Sequence, residues 1–493
     1  MNKLYDIVFK TQENRKLLYF KGNADITEQG LYITAGEAVD FLTYFNSFSI
    51  SKWKKYTTIK KLQINGKIIG CAEIEIYTIG RNGKLLTKQQ VIENFSVCFD
   101  VENISGEILG IKVKANIDTI LQKITYLGEF NEWKSQKIGV VICTYKREKY
   151  VKATIEKLVK FSKTNPWLTA LVVDNGSTLK ECETEYLRII HNPNYGGSGG
   201  FTRGIIENLK TKINDYVLLM DDDIDLDTAV LKRTHSLISS LKDEYRESFV
   251  AGAMLNIDEP YIQYENTAYW NKFRPSSLGR NYDLSSIKVL IKNENLIEKE
   301  NKYAGWWYCC IPMKIVRKIG LSLPVFIKGD DIEYSIRNDS KIITINGIGV
   351  WHKLFSNKRN GFINYLADRN MLMMNNYIKK SNYFYFVTGL ILRIVRRLLE
   401  FNKNSLYFLY FALSDYRKGL PYITQQRPDS YMEKLKQNTD KYDKYKQCYL
   451  LLKIFIEFLI IIVTYKSTKK QYLNFRKNEL SGTKFWCKYL NES

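Results

Sequence analysis

Cysteine is sparse and unpatterned in this chain: 493 residues carry eight, none of them in a CxxC pair. That excludes a standard zinc site and an ordinary disulfide framework. The adjacent Cys309 and Cys310 suit neither, so buried free thiols in a reducing compartment are expected. No low-complexity tract suggests disorder. The opening stretch, MNKLYDIVFKTQENRK, lacks the unbroken apolar core of a secretion signal, and a cytoplasmic protein is expected. Acidic residues fall short of basic ones, 52 against 74, leaving a formal charge of +22. Such an excess favours polyanionic partners: nucleic acid, an anionic membrane face or phosphorylated substrates. No RRM, KH, zinc-finger or helix-turn-helix signature accompanies it, which argues against nucleic acid. Histidine is rarest, with three residues.

What is present describes a globular protein, 45% hydrophobic and 26% charged, too long for one ordinary core. Residues 1–135 read as an antiparallel β-sandwich. In LQINGKIIGCAEIEIYTIGRNGK, Glu73 and Glu75 alternate with inward Ile74 and Ile76, and Asn65–Gly66 and Asn82–Gly83 supply hairpin turns. From 136 to 356, apolar strands (KIGVVICTY, LTALVVDNGS, YLRIIHNP, YVLLMDDD) alternate with helices, one of them from about Phe201. This α/β pattern gives a Rossmann-like, mostly parallel sheet with ligands at the carboxyl ends of its strands. Residues 357–493 read as helical. There YFYFVTGLILRIVRRLLEF sets Arg393, Arg396 and Arg397 on one face, the pattern of a basic interfacial helix. CYLLLKIFIEFLIIIVTY (448–465) reads as a buried or membrane-dipping helix in which Lys453 and Glu457 can pair, and core helices of a bundle fit both segments equally.

Three acidic sites and one histidine lie at strand ends. Asp221, Asp222 and Asp223 crowd like charges together, an arrangement a divalent cation relieves; oxygen ligands suit Mg²⁺ or Mn²⁺. His352, directly after the strand in GIGVWH, would shift the preference toward Mn²⁺. Asp330 and Asp331 in FIKGDDIEYSIR can divide proton transfer and substrate binding, although an Asp-Asp pair also caps a helix well. Asp174 in LVVDNGS can accept from a nucleobase N–H or serve an ordinary turn. NPNYGGSGGFTRG, with five glycines, precedes a helix whose N-terminus suits phosphate, and Arg203 can add a charged fork. Its spacing is neither GxGxxG nor GxxxxGK[ST].

Taken in order, VVICTYKRE, VVDNGS, NPNYGGSGGFTRG, LLMDDDI, AGWWYCCIP, GDDIEYSIR and GVWH resemble the inverting GT-A glycosyltransferases of family 2. Within that family the chain is most similar to the polymerising enzymes that use UDP-galactofuranose. The resemblance covers residues 137 to about 370. It implies a GT-A core between an N-terminal β-sandwich and a C-terminal helical domain, and a cell-surface glycan, carried on a lipid, as acceptor. By position, Thr144, Arg147 and Asp174 would line the uridine pocket, and Gly199, Gly200 and Arg203 would approach sugar and diphosphate. Asp221, Asp222 and Asp223 match the DxD element, with Asp223 and His352 as metal ligands. Asp331 matches the catalytic base beside Asp330, and Trp306, Trp307 and Trp351 would wall the sugar sites unless they are core. The expected setting is the cytoplasmic membrane face, with a homo-oligomer allowed. Another nucleotide sugar, such as a rhamnose donor, is the alternative, and a nucleic-acid binder or an inactive carbohydrate scaffold stands further off.

Overall fold

The computed structural model describes residues 1–181, 183–354, 361–378, 382–400, 403–437 and 444–490. At the N-terminus two antiparallel sheets face each other. One is built around the long strands 59–69 and 119–130, the other around 72–79 and 108–115. The alternation reads out as expected: Ile74 and Ile76 are buried, while Glu73 and Glu75 share Lys88 at 2.8 and 3.0 Å on the outer face. Asn82, at φ 59°, makes the turn between strands 72–79 and 85–91. Asn65–Gly66 does not turn. It lies inside strand 59–69, opposite Thr125 and Ile124 on one side and Ser96 and Phe95 on the other. Gly66 is required there because the Phe95 ring occupies the space a Cβ would fill.

The central sheet begins with β1 (Ile138–Thr144), then helix α1 (Glu148–Ser162), β2 (Leu168–Asp174), β3 (Leu187–His191), helix α2 (Gly196–Thr211) and β4 (Tyr216–Asp221). Their near-continuous apolar runs are buried on both faces, as a covered parallel sheet requires. The spatial order is β3-β2-β1-β4, all parallel, followed by antiparallel strands 308–312 and 249–251. A small three-stranded sheet contains β5 (Thr267–Asn271) and β6 (Lys302–Tyr303). Helix α3 (Asp330–Arg337) follows, then β7 (Gly349–His352), which pairs with strands 224–225 and 253–256.

One hydrophobic core runs from Leu4 to Trp351, so the sandwich and the central sheet are packed as one body. The Tyr44 hydroxyl donates to Ile348 O at 3.0 Å, and Arg233 lies buried against the rings of Tyr5 and Phe45. A second core joins the central sheet to the C-terminal helices. These include α4 (Gly361–Tyr377), α5 (Tyr383–Leu399), α6 (Lys403–Lys418), α7 (Lys444–Val463) and α8 (Tyr465–Glu479). The expected boundary at 356/357 lies outside the described residues.

Two expectations for these helices are corrected. Two of the three arginines of α5 turn inward: Arg393 and Arg397 bind buried Asp368 at 2.9 and 2.7 Å, and Arg397 also reaches Glu400, while Arg396 stays exposed. Around it the face left to solvent is apolar, with Ile391, Leu392, Val395 and Leu399 exposed. Lys453 and Glu457 do not pair either. Glu457 takes Arg417 at 2.7 Å, and Lys453 rests over the rings of Tyr410 and Tyr449. Among the described residues no single helix is long and apolar enough to cross a membrane; only Cys448–Val463 together with Tyr465–Glu479, bent by 74° where they meet, reach that length and composition. All seven described cysteines are free, but only Cys309 and Cys310 are fully buried, while Cys98 and Cys448 are exposed.

Candidate active site

Register brings the chemistry together. Thr144, Asp174 and His191 lie side by side at the ends of β1, β2 and β3, and Asp221 ends β4 opposite Cys143. Continuing past β4, the chain pairs Ile224 with His352 and so carries the imidazole of β7 over the aspartates. His352 Nε2 stands 2.9 Å from Asp223 and 3.6 Å from Asp221, while its Nδ1 faces Lys353 O at 2.6 Å. A backbone carbonyl on Nδ1 fixes that nitrogen as the protonated one and leaves Nε2 for a ligand.

Asp221, Asp223 and His352 each offer one ligand atom, all within 4.8 Å of one another. The set therefore includes Asp221, which the sequence assigned to substrate. Two carboxylates and an imidazole with a supported second nitrogen fit Mn²⁺, and they accommodate Mg²⁺ less well. Asp222 points elsewhere: it accepts from Thr144 Oγ1 at 2.7 Å and from Arg147 at 3.1 Å, and Arg147 also reaches Asp223 at 2.6 Å. Burial, with Asp223 and Asp222 adding repulsion, pushes Asp221 up to about 6. Burial would raise Asp223 as well, but the hydrogen bond and charge of His352 outweigh it and hold that carboxyl below its ordinary value. Burial opposes charge on His352, yet Asp223 and Asp221 together lift its pKa above the usual imidazole value. This is a compact charged cluster whose protonation is shared among its members.

Asp330 and Asp331 open α3 after Gly329, whose φ of 107° turns the chain sharply into the helix. Burial pushes both carboxyls up; Asp331 raises Asp330 further, and Asp221 acts on Asp330 from across the site. An elevated carboxylate is a better proton acceptor near neutral pH. Two neighbours of Asp331 escaped the sequence reading. Glu265, hydrogen-bonded by Ser277, is pushed up to about 7 by burial, with the charge of Asp331 contributing. Tyr303 is raised by burial and by the same charge. Neither lies in a recognisable motif: Glu265 ends strand 262–265 and Tyr303 lies in β6, and only their approach to Asp331 discloses them.

Several predicted residues serve other ends. The α2 helix starts at Gly196, five residues before the expected Phe201, so the glycines are inside it. A Cβ on Gly199 would strike Tyr195, one on Gly200 would strike Cys143 Sγ, and one on Gly204 would strike Val141. Gly199 and Gly200 thus allow α2 to lie close on β1 and its own first turn. Arg203, one turn further along, sits 3.5 Å from Glu207. Asp174 is fully buried and accepts from the amides of Gly176, Thr178 and Leu179, so the turn reading accounts for it. Trp351 is core: its Nε1 donates to Pro260 O, Phe45 packs on it, and Arg15 covers its face at 3.9 Å. Trp306 is buried between Phe201 and Tyr334. Only Trp307 is partly exposed, with its Nε1 tied to Gly252 O.

Residues 139–300 match the family model for glycosyl transferase family 2, and residues 9–126 match that for the galactofuranosyltransferase 2 N-terminal domain. The family 2 match spans most of the central domain. Its mostly parallel sheet with the acidic ends just described is the GT-A arrangement. Similar to this chain is "Galactofuranosyltransferase GlfT2" of Mycolicibacterium smegmatis, 24% identical over 67% of this chain and 56% of that protein. The protein of the same name from Mycobacterium tuberculosis is 26% identical over 67% of this chain and 57% of its own length. The chain thus spans less than two thirds of these relatives. The solved structure "Crystal structure of S. aureus TarS 1-349" aligns at a TM-score of 0.37 and 15% identity, covering 67% of this chain and 91% of that one.

Proposed function

We propose that the protein transfers galactofuranose from UDP-galactofuranose to a hydroxyl of a glycan acceptor, with inversion at the anomeric carbon. The observation that carries this reading is the meeting, at the strand ends of a family 2 domain, of a three-ligand cluster (Asp221, Asp223, His352) with the buried pair Asp330–Asp331. A divalent cation held there, Mn²⁺ by preference, supplies charge neutralisation for a departing diphosphate. Arg147, already spanning Asp222 and Asp223, orients the cluster and adds a cation at the same rim. Asp331 takes the proton of the attacking hydroxyl while Asp330, its carboxyl raised further, holds a sugar hydroxyl. Partly exposed Trp307 offers the one indole face of the three that a sugar can reach.

The names of the relatives support galactofuranose as the sugar, and the match of the N-terminal domain to a galactofuranosyltransferase model points the same way. A rhamnose or other nucleotide-sugar donor is the alternative reading. The acceptor is proposed to be lipid-linked and met at the cytoplasmic membrane face. Apolar residues exposed along α5 (Phe384, Leu392, Leu399) and α7 (Leu452, Phe455, Val463) favour that setting.

The test is incubation with UDP-galactofuranose, Mn²⁺ and short synthetic galactan acceptors, followed by product mass and linkage analysis. Elongated product with UDP-galactofuranose is expected. Success with a pyranosyl or rhamnosyl donor and failure with every galactofuranosyl one would overturn the donor assignment.

A further inference from the structure

Glu265 and Tyr303, which feel the charge of Asp331, are chain neighbours of Asn266 and Lys302, two residues that line a separate cavity. That cavity, of about 290 Å³, is lined on its other side by Ser51, Lys52 and Lys55 of helix 50–56. None of the acidic strand-end residues contributes to it. From this arrangement we infer a second ligand site, at the junction of the sandwich and the central domain, that binds an anionic saccharide: a sugar bearing a phosphate or a carboxylate.

Donors and acceptors there are arranged for such a ligand. The Lys302 side chain is only 5% exposed; its ammonium donates to Ile342 O at 3.0 Å and pairs with Glu298 at 2.5 Å, which leaves one of its three N–H groups. The Lys52 ammonium donates to Thr344 O at 2.8 Å. Glu294, the buried carboxylate of the wall, is already engaged by the Ser49 and Ser51 hydroxyls at 3.0 and 3.1 Å. Lys55 at the mouth makes three ammonium groups against two carboxylates, one of which is taken up by hydroxyls. Asn266 is 2% exposed, and its Oδ1 is buried with no partner among the described residues. A buried carbonyl left this way costs free energy unless a ligand donor meets it, and a sugar hydroxyl is such a donor. The volume lies at the lower end of ligand sites, the size of one monosaccharide rather than a nucleotide. Burial holds the Lys52 pKa below its ordinary value against the pull of Glu294, a cost that a bound anion would relieve.

Isothermal titration of the full chain with glucose 1-phosphate, glucuronate and glucose, each with and without saturating UDP and Mn²⁺, tests this. Saturable binding of glucose 1-phosphate or glucuronate, unaffected by UDP and much tighter than glucose, is expected; whichever anion binds identifies the charged group. Lys52→Gln and Lys55→Gln, at the less buried positions, should each weaken it about tenfold, the worth of one charge-assisted hydrogen bond. Lys302→Gln should do the same if circular dichroism shows it folded, and the other two variants decide the matter if it is not. Glucose binding as tightly as the anions, displacement by UDP, unchanged affinity in both Lys52→Gln and Lys55→Gln, or no saturable binding of any probe would each overturn the site.

Discussion

At the ends of β4 and β7, Asp221, Asp222 and Asp223 share Arg147 and His352, three carboxylates on two basic groups. On α5 the balance is different: Arg393 and Arg397 meet Asp368, and Arg397 and Arg396 meet Glu400. Both clusters are conspicuous as runs of like charge in the sequence. The aspartate cluster remains in excess of its protein partners, while the two inward arginines of α5, Arg393 and Arg397, are matched by Asp368 and Glu400 and hold helices together; Arg396, 71% exposed, lies at the solvent edge. Density of charge therefore does not mark a site; charge that the fold declines to neutralise does.

That contrast can be broken experimentally. Asp331→Asn should lower transfer by about 100- to 10,000-fold while UDP still binds in the presence of Mn²⁺, because only proton removal is lost; transfer at the wild-type rate would remove Asp331 from its role. Arg397→Ala should leave donor binding intact in whatever fraction folds, yet cost about 3–5 kcal/mol in chemical denaturation, since Asp368 would stay buried with part of its compensation gone. Loss of activity without loss of stability would mean the arginine cluster is functional after all.

Smaller effects sharpen the picture. His235, stacked on Trp167 at 4.0 Å, is neutral by burial, its pKa pushed down to about 4 from 6.5. The unfolded chain takes up that proton more readily, so the contribution to stability is complete above pH 6.5 and is lost as pH falls toward 4. The loss is about 3 kcal/mol at most, and His235→Gln should flatten it in denaturant titrations run at several pH values. Gly200→Ala should cost about 1–3 kcal/mol by forcing α2 off Cys143, whereas Gly197→Ala, whose Cβ would meet nothing closer than 3.9 Å, should leave stability nearly unchanged. If Gly200→Ala were as stable as the wild type but bound UDP-sugar poorly, the glycines would belong to the donor site and not to packing.

The sequence made the sheet legible because its strands are buried on both faces and written as unbroken apolar runs. The run before Asp221 sets that carboxylate at the end of a parallel strand, where ligands of such sheets bind, but Asp330 arrives at the start of α3 and His352 on a strand of another sheet. What it could not disclose depended on approach rather than pattern. Gly66 and Gly200 look like turn residues but make room for a neighbouring ring and a thiol. Trp351 follows the pattern of a sugar wall, yet the sandwich covers it through Phe45 and Arg15. Helical spacing gave the arginines of α5 one face without saying which way that face turns, because the acid that decides it, Asp368, comes from another helix.

The account rests most heavily on the metal-ligand cluster acting with Asp331. Mn²⁺ titration of UDP-galactofuranose transfer, run side by side on the wild type, Asp223→Ala and Asp331→Asn, tests both at once. Metal-dependent transfer by the wild type is expected, with weakened Mn²⁺ binding in Asp223→Ala and unaltered Mn²⁺ binding without turnover in Asp331→Asn. Transfer that persists in Asp223→Ala at wild-type Mn²⁺ affinity, or that survives in Asp331→Asn, would contradict it.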